Sequence, residues 1–152
     1  MKYLLLILAL LGVIVSSLAL REHYRTYGDS PCSINERWDC GVVNHSPFAV
    51  LGGVFEQMGI PHIPLLSALP VATAGILGYI LMAAVILFRR YRLLIVFTLL
   101  SLAFSLYLAH IEKDVLGVWC IYCVISLGII SLMSLLTLGT VVAQFVRKPS
   151  PA

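Results

Sequence analysis

Four long apolar runs, Tyr3–Leu20, Val71–Phe88, Leu93–Ile111 and Ile121–Val146, constrain this chain more than any other feature. At about 1.5 Å per helical residue the shortest reaches roughly 27 Å, close to the hydrocarbon thickness of a bilayer. Of the 152 residues 61% are hydrophobic and 11% charged, and no water-soluble domain of this size needs so apolar a surface. The expected fold is an all-α integral membrane protein. Four transmembrane helices over 3–20, 71–88, 93–111 and 121–146 would form a bundle. An outer lid loop at 21–66 would carry a short interfacial helix, all in one domain over 1–152.

The first run admits a second reading as a cleaved signal peptide. Lys2 precedes it, and Ser17-Leu18-Ala19 resembles a small-residue cleavage site. Its length exceeds an ordinary signal core, so a retained helix is expected. Either reading leaves the following residues on the outer side.

Charge sets the orientation. With the N-terminus inside, the inner segments carry Lys2, Arg89, Arg90, Arg92, Arg147 and Lys148 and no acid. The outer segments carry Arg21, Arg25, Arg37 and Lys113 with all seven acids. Basic residues gather on the cytoplasmic face of membrane proteins, and the Arg89–Arg92 loop is the strongest such signal. The net charge of +3 therefore speaks of topology and not of nucleic acid.

This orientation places Cys32, Cys40, Cys120 and Cys123 on the outer side or at its membrane boundary. That side is oxidising in a bacterium, and the secretory lumen is its eukaryotic equivalent. An even count there suggests two disulfides. Cys120 and Cys123 form a Cys-x-x-Cys, whose spacing puts both on one side of a helix within bridging range. Gly117 marks a break before them, so Cys120 is expected in the first helical turn. Unpaired N–H groups and the positive end of the helix dipole favour a thiolate there, the form that attacks disulfides; an apolar surrounding opposes it.

Cys32 and Cys40 bracket seven mostly polar residues. A bridge closing so short a loop gains little chain entropy, making it a poor staple and a serviceable reversible switch. Two static disulfides are the plain alternative. A four-thiolate zinc site is another, and the wide first spacing is loose for it. Two pairs in series would instead pass two electrons by thiol–disulfide exchange.

Gly28-Asp29-Ser30-Pro31 reads as a turn leading into Cys32. Ser46-Pro47 followed by Phe48, Leu51, Val54, Phe55 and Met58 up to Gly59 reads as one short helix, Ser46 at its N-cap and Pro47 at its first position. Ser46 is a helix cap in the plain reading and a hydroxyl lining the chamber above Cys123 in the functional one. His45 reads as an exposed loop residue. Gly59-Ile60-Pro61-His62-Ile63-Pro64 returns the chain to the membrane, and Pro70 suits a helix's first turn. Gly75 and Gly78, and Ser126, Gly128, Ser131, Ser134 and Gly139, are expected to let helices approach closely. His110, Glu112 and Asp114, beside the Cys-x-x-Cys, are either proton-exchanging groups or a solvated connection.

The ordered combination of Cys32-x7-Cys40, Ser46, Gly59-Ile60-Pro61, Ser-Leu-x-x-Ser-x-Tyr-Leu-Ala at Ser101–Ala109 and Cys120-x-x-Cys123 resembles the vitamin K epoxide reductase family. The likeness is to a microbial homologue without a fused thioredoxin-like domain. Unrelated bacterial quinone-linked disulfide oxidases place their Cys-x-x-Cys before the wider pair. The resemblance implies an enzyme that takes electrons from a thioredoxin-like periplasmic or lumenal partner and reduces a quinone of the ubiquinone, menaquinone or vitamin K type. It implies that Cys32 exchanges with the partner, Cys40 pairs transiently with Cys120, Cys123 faces the quinone, and Ser46 lies near it. The expected location is a bacterial inner membrane. Two departures stand out: no asparagine follows Asn44, and Leu127 stands where the animal enzymes have tyrosine. Both favour simple quinone reduction over epoxide reduction.

Overall fold

The computed structural model describes residues 1–26, 30–61 and 64–146, with only the backbone of Leu66. Parts of the expected turns at Gly28-Asp29 and His62-Ile63, and the basic pair Arg147 and Lys148, lie outside the described residues. Four long helices dominate: α1 (Lys2–His23), α5 (Val71–Leu87), α6 (Tyr91–His110) and α7 (Ile121–Val146). Between α1 and α5 lie the short helices α2 (Cys40–His45), α3 (Leu51–Gln57) and α4 (Pro64–Ser67), with a 3-10 turn at Pro47–Ala49. By length and composition α1, α7 and α6 with its continuation to Leu116 are each able to cross a membrane. The 17 residues of α5 reach roughly 25 Å.

α1 packs between α5 and α7, and α6 lies against α7 and α5. Leu5 and Ala9 of α1, Met82 and Ile86 of α5, Leu94 of α6, and Ile130 and Met133 of α7 meet in one core. Apolar residues such as Leu10, Leu77, Leu100 and Leu135 remain exposed on the outside. Lipid is as apolar as leucine, so close approach and polar pairs must hold such helices together. The Tyr79 hydroxyl supplies one pair, 2.9 Å from Ser126 Oγ and donating to Ser126 O at 3.1 Å. Ser134 Oγ donates across to Thr98 O at 3.3 Å. Gly12 lies flat against the Tyr79 ring, and a Cβ on Gly75 would stand 2.9 Å from Ser16 Oγ. Gly78, Gly128 and Gly139 face open space, so the expected packing role belongs to Gly75 and not to these three.

The turn into α6 uses Arg89 at φ 55°. The Arg92 guanidinium sits 5.0 Å over the Phe145 ring, joining the start of α6 to the end of α7. α1 runs past Leu20 because Glu22 turns inward, 2% exposed, and pairs with Arg25 at 3.6 Å. Pro70 is the N-cap of α5, one residue before the expected first turn. α6 does not end in a charged loop. It continues as a π-wound turn, Ile111–Leu116, closed by Gly117 at φ 68° as expected of that glycine.

The single helix expected from Ser46 to Met58 is broken in two. Val50 is extended and pairs with Pro70, and Leu51 N–H donates to Leu69 O at 2.9 Å. That outside partner pulls the chain out of helical winding. Ser46 holds the expected N-cap position, with Pro47 first in the 3-10 turn, but its hydroxyl makes no cap bond and donates back to Val43 O at 2.8 Å. Gly59, at φ 74°, follows α3 as expected. α2 is additional, and His45 belongs to it rather than to a loop. Asp39 caps it, its Oδ1 accepting from the N–H groups of Gly41 (2.8 Å) and Val42 (3.2 Å) and from Ser33 Oγ (2.6 Å). The Ser33 bond foremost, and these two N–H bonds, hold the Asp39 carboxyl below the usual carboxylate range against the opposing effect of burial.

Because the folded carboxyl is depressed, its contribution to stability is full above about pH 4 and is lost as pH falls through the lowered value. Asp39→Ala should therefore cost about 1 kcal/mol near neutral pH, and its unfolding curve should converge on that of the unchanged protein in acid. Unfolding of detergent-solubilised protein across pH checks this; a constant gap down to strong acid contradicts it. By the same measurement Gly12→Leu should cost about 1–3 kcal/mol by overpacking against Tyr79. Gly139→Leu should stay within about 0.5 kcal/mol.

Candidate functional site

The loop carrying the first two cysteines is sewn to the residue before the third. Trp119 N–H donates to Arg37 O at 2.8 Å, and Trp119 O accepts from Asp39 N–H at 3.1 Å. The indoles of Trp38 and Trp119 stack obliquely there, centroids 6.5 Å apart. Asn35 tightens the loop, its Oδ1 accepting from the N–H groups of Arg37 (2.9 Å) and Trp38 (3.1 Å). Asp39 ends the loop as the cap of α2, which puts Cys40 in the first position of that helix.

Cys32 and Cys40 form a disulfide, their Cα atoms 5.7 Å apart, while Cys120 and Cys123 are thiols. Cys32, Cys40, Val43 and Cys120 share one buried cluster, with Leu116, Tyr122 and Cys123 packed against it. Cys40 and Cys120 are 0% exposed and Cys32 6%. The first pair is thus joined and the second is not, and the two pairs lie against each other.

Cys120 lies one residue ahead of α7 and not in its first turn. Its carbonyl accepts from Val124 N–H at 3.0 Å, which makes it the N-cap. Its own N–H donates to Glu112 Oε2 at 3.0 Å. A hydrogen bond from the Cys123 thiol lowers the Cys120 thiol below its ordinary pKa despite burial, helped by the N–H groups of Cys123 and Tyr122. Asn44 Nδ2 lies 3.8 Å from Cys120 Sγ and 2.9 Å from Cys40 O. His23 Nδ1 is 2.7 Å from Asn44 O, tying the end of α1 to α2.

Cys123 opens in the other direction, onto a cavity of about 350 Å³ lined mainly by apolar side chains of α1, α5, α6 and α7. Asn44, Ser46 and Glu112 also line it, and the other three cysteines do not. Ser46 thus takes the lining position of its functional reading, although its hydroxyl is engaged with Val43 O. Of the three polar candidates before the Cys-x-x-Cys, His110 and Asp114 pair with each other at 2.6 Å on the exposed surface. Glu112 alone turns inward, 3% exposed.

Sequence reasoning missed Asn44 and undervalued Glu112. Asn44 follows Cys40 by four residues, the spacing of one helix face, and that signal becomes readable only once α2 is known. A comparison with curated proteins found no relative. The model of the vitamin K epoxide reductase family matches residues 3–138, and by that match over most of its length the chain belongs to the vitamin K epoxide reductase family.

Proposed function

We propose that this protein is a membrane thiol–disulfide oxidoreductase that oxidises a thioredoxin-like partner and reduces a quinone. The observation that carries the reading is the placement of the cysteines. Both pairs meet in one buried cluster, and Cys123 alone among them lines an apolar cavity. A volume of about 350 Å³ falls in the range of small-molecule sites and suits a quinone ring. Membership of an oxidoreductase family whose members are in general quinone-linked supports the same reading.

α5 is the fourth span in this proposal, and the 30–60 segment is a lid over the bundle mouth, facing the periplasm or its equivalent. The partner's dithiol attacks the Cys32–Cys40 disulfide at Cys32; the partner leaves oxidised, and Cys32 and Cys40 remain as thiols. Cys40, as thiolate, then attacks an oxidised Cys120–Cys123 pair at Cys120, releasing Cys123 as thiol. Cys32 resolves the Cys40–Cys120 bridge, restoring Cys32–Cys40 and leaving Cys120 reduced. About 30 mV between two-electron couples is only about 1.4 kcal/mol, so this internal step is near balance and the quinone draws it forward. Oxidation of Cys120 and Cys123 sends two electrons and two protons to the quinone, giving the hydroquinone.

The Cys120 thiol, lowered by its bond from Cys123, suits a sulfur that must be attacked and then leave. Leu127, apolar and packed toward the core, gives no hydroxyl for opening an epoxide, which keeps simple quinone reduction ahead of epoxide reduction.

The double variant Cys32→Ser, Cys123→Ser removes both sulfurs that can open the Cys40–Cys120 bridge. Peptide mapping of that variant after air oxidation should find Cys40 linked to Cys120; two unlinked cysteines there under every oxidising condition tried would defeat the relay. Gly78, which lines the cavity with open space over its Cα, allows the acceptor site to be filled without touching a cysteine. Gly78→Leu should lower quinone reduction at least tenfold, about 1.4 kcal/mol, while reduction of Cys32–Cys40 by a dithiol stays unchanged. Unaltered quinone kinetics in that variant would put the acceptor elsewhere.

A further inference from the structure

Among the described residues lining the cavity, Glu112 alone carries a carboxyl. Its Oε2 accepts from Cys120 N–H at 3.0 Å, and it lines the cavity together with Cys123. Both ion pairs found among the described residues, Glu22 with Arg25 and His110 with Asp114, leave it out. Two backbone N–H groups, of Gly117 and Val118, fasten its carbonyl and so fix the π-wound turn that carries it. A buried carboxyl without a counter-ion is costly to keep as a mere surface charge. Here it stands between a thiol that loses a proton on oxidation and a cavity whose occupant gains one.

We propose that Glu112 is a catalytic proton-transfer residue of the cavity reaction, an inference that rests on reading the cavity as the quinone site. As the Cys120–Cys123 bond forms, two S–H bonds break and two electrons enter the quinone. The Glu112 carboxylate takes the Cys123 proton and delivers it to one quinone oxygen. Once Cys123 has given up its own proton, the Cys120 proton follows by way of that sulfur to the same carboxyl, and reaches the second oxygen in a second transfer. Electrons and protons then balance as dithiol plus quinone giving disulfide plus hydroquinone. The titratable groups around Glu112 are Cys120 at the cap of α7, Tyr122 and Cys123 within α7, and His110, Lys113 and Asp114 of its own helix. Glu22 and Arg21 of α1 and Arg25 just past its end act on Tyr122.

The test is a single turnover of the fully reduced, purified protein with excess short-chain benzoquinone, followed by alkylation of remaining thiols across pH. Glu112→Gln keeps the size and an oxygen for Cys120 N–H. Its thiol loss should be at least about 100-fold slower, with the pH-dependent rise due to the carboxyl gone. Glu112→Asp, which keeps the carboxyl, should lose less. Reduction of the Cys32–Cys40 disulfide by dithiothreitol at an unchanged rate establishes that each variant is folded. A Gln variant with the original rate and pH profile overturns the role, as does an equal loss in the Asp and Gln variants. An unaltered protein that reduces no quinone overturns the cavity reading itself, and this inference with it.

Discussion

Two backbone hydrogen bonds at Trp119 hold the arrangement of this molecule together. Through them Arg37 and Asp39, on the strand of chain between the first two cysteines, are fastened to the residue preceding Cys120. Backbone bonds carry no side-chain identity, so they fix distance and register whatever the redox state of the sulfurs. Their effect is magnified by what flanks them: Asp39 caps α2 and Cys120 caps α7. Fastening those two residues therefore brings together the N-terminal ends of two helices, each beginning at a cysteine. Both sulfurs then sit where unpaired N–H groups favour negative charge.

The same region solves a problem particular to lipid. A helix end buried near hydrocarbon leaves N–H groups without water to bond, at a cost of several kcal/mol each. At the head of α7 the Glu112 carboxylate takes the Cys120 N–H, and the Trp119 N–H goes to Arg37 O. The polar site at the top of the bundle is thus also its seal. Below it the walls are apolar, and the polar pairs at Tyr79–Ser126 and Ser134–Thr98 fasten neighbouring helices. Gly75 lets α1 approach, while Gly78 one turn on meets nothing, and the cavity lies along that difference.

Much of this was legible in the sequence where a signal repeats. α7 spans Ile121–Val146 as expected because twenty-odd apolar residues between Cys120 and Arg147 allow no other reading. The break at Gly117 and the two cysteine pairs were legible for local chemical reasons. α2 was not: Gly41, Val42, Val43 and Asn44 are weak helix formers, and the helix stands on the Asp39 cap and on packing against α1. The break at Val50 was hidden because its partner, Pro70, is twenty residues away. The sequence could not tell Glu112 from the solvated charges Lys113 and Asp114 beside it; a π-wound turn, a feature concentrated at functional sites, presents it to the other side.

Burial then imposes an order on the proposed relay. Cys40 and Cys120 are fully sealed, so no soluble thiol reaches either in the closed molecule. Cys32 is nearly as covered, yet the residues after it, Ser33 to Arg37, are exposed and held by a handful of hydrogen bonds and one indole contact. Segments with so few buried contacts open at a small fraction of the global unfolding free energy. Opening of this loop uncovers Cys32 first, because Cys40 is anchored in α2 under the Asp39 cap. From the opposite side Cys123 alone of the four cysteines lines the cavity. In the proposed relay a partner in water and an acceptor in lipid therefore meet different sulfurs, and the two sulfurs between them, Cys40 and Cys120, share one buried cluster. On that proposal packing, without a gate, keeps a soluble thiol from bypassing the outer pair.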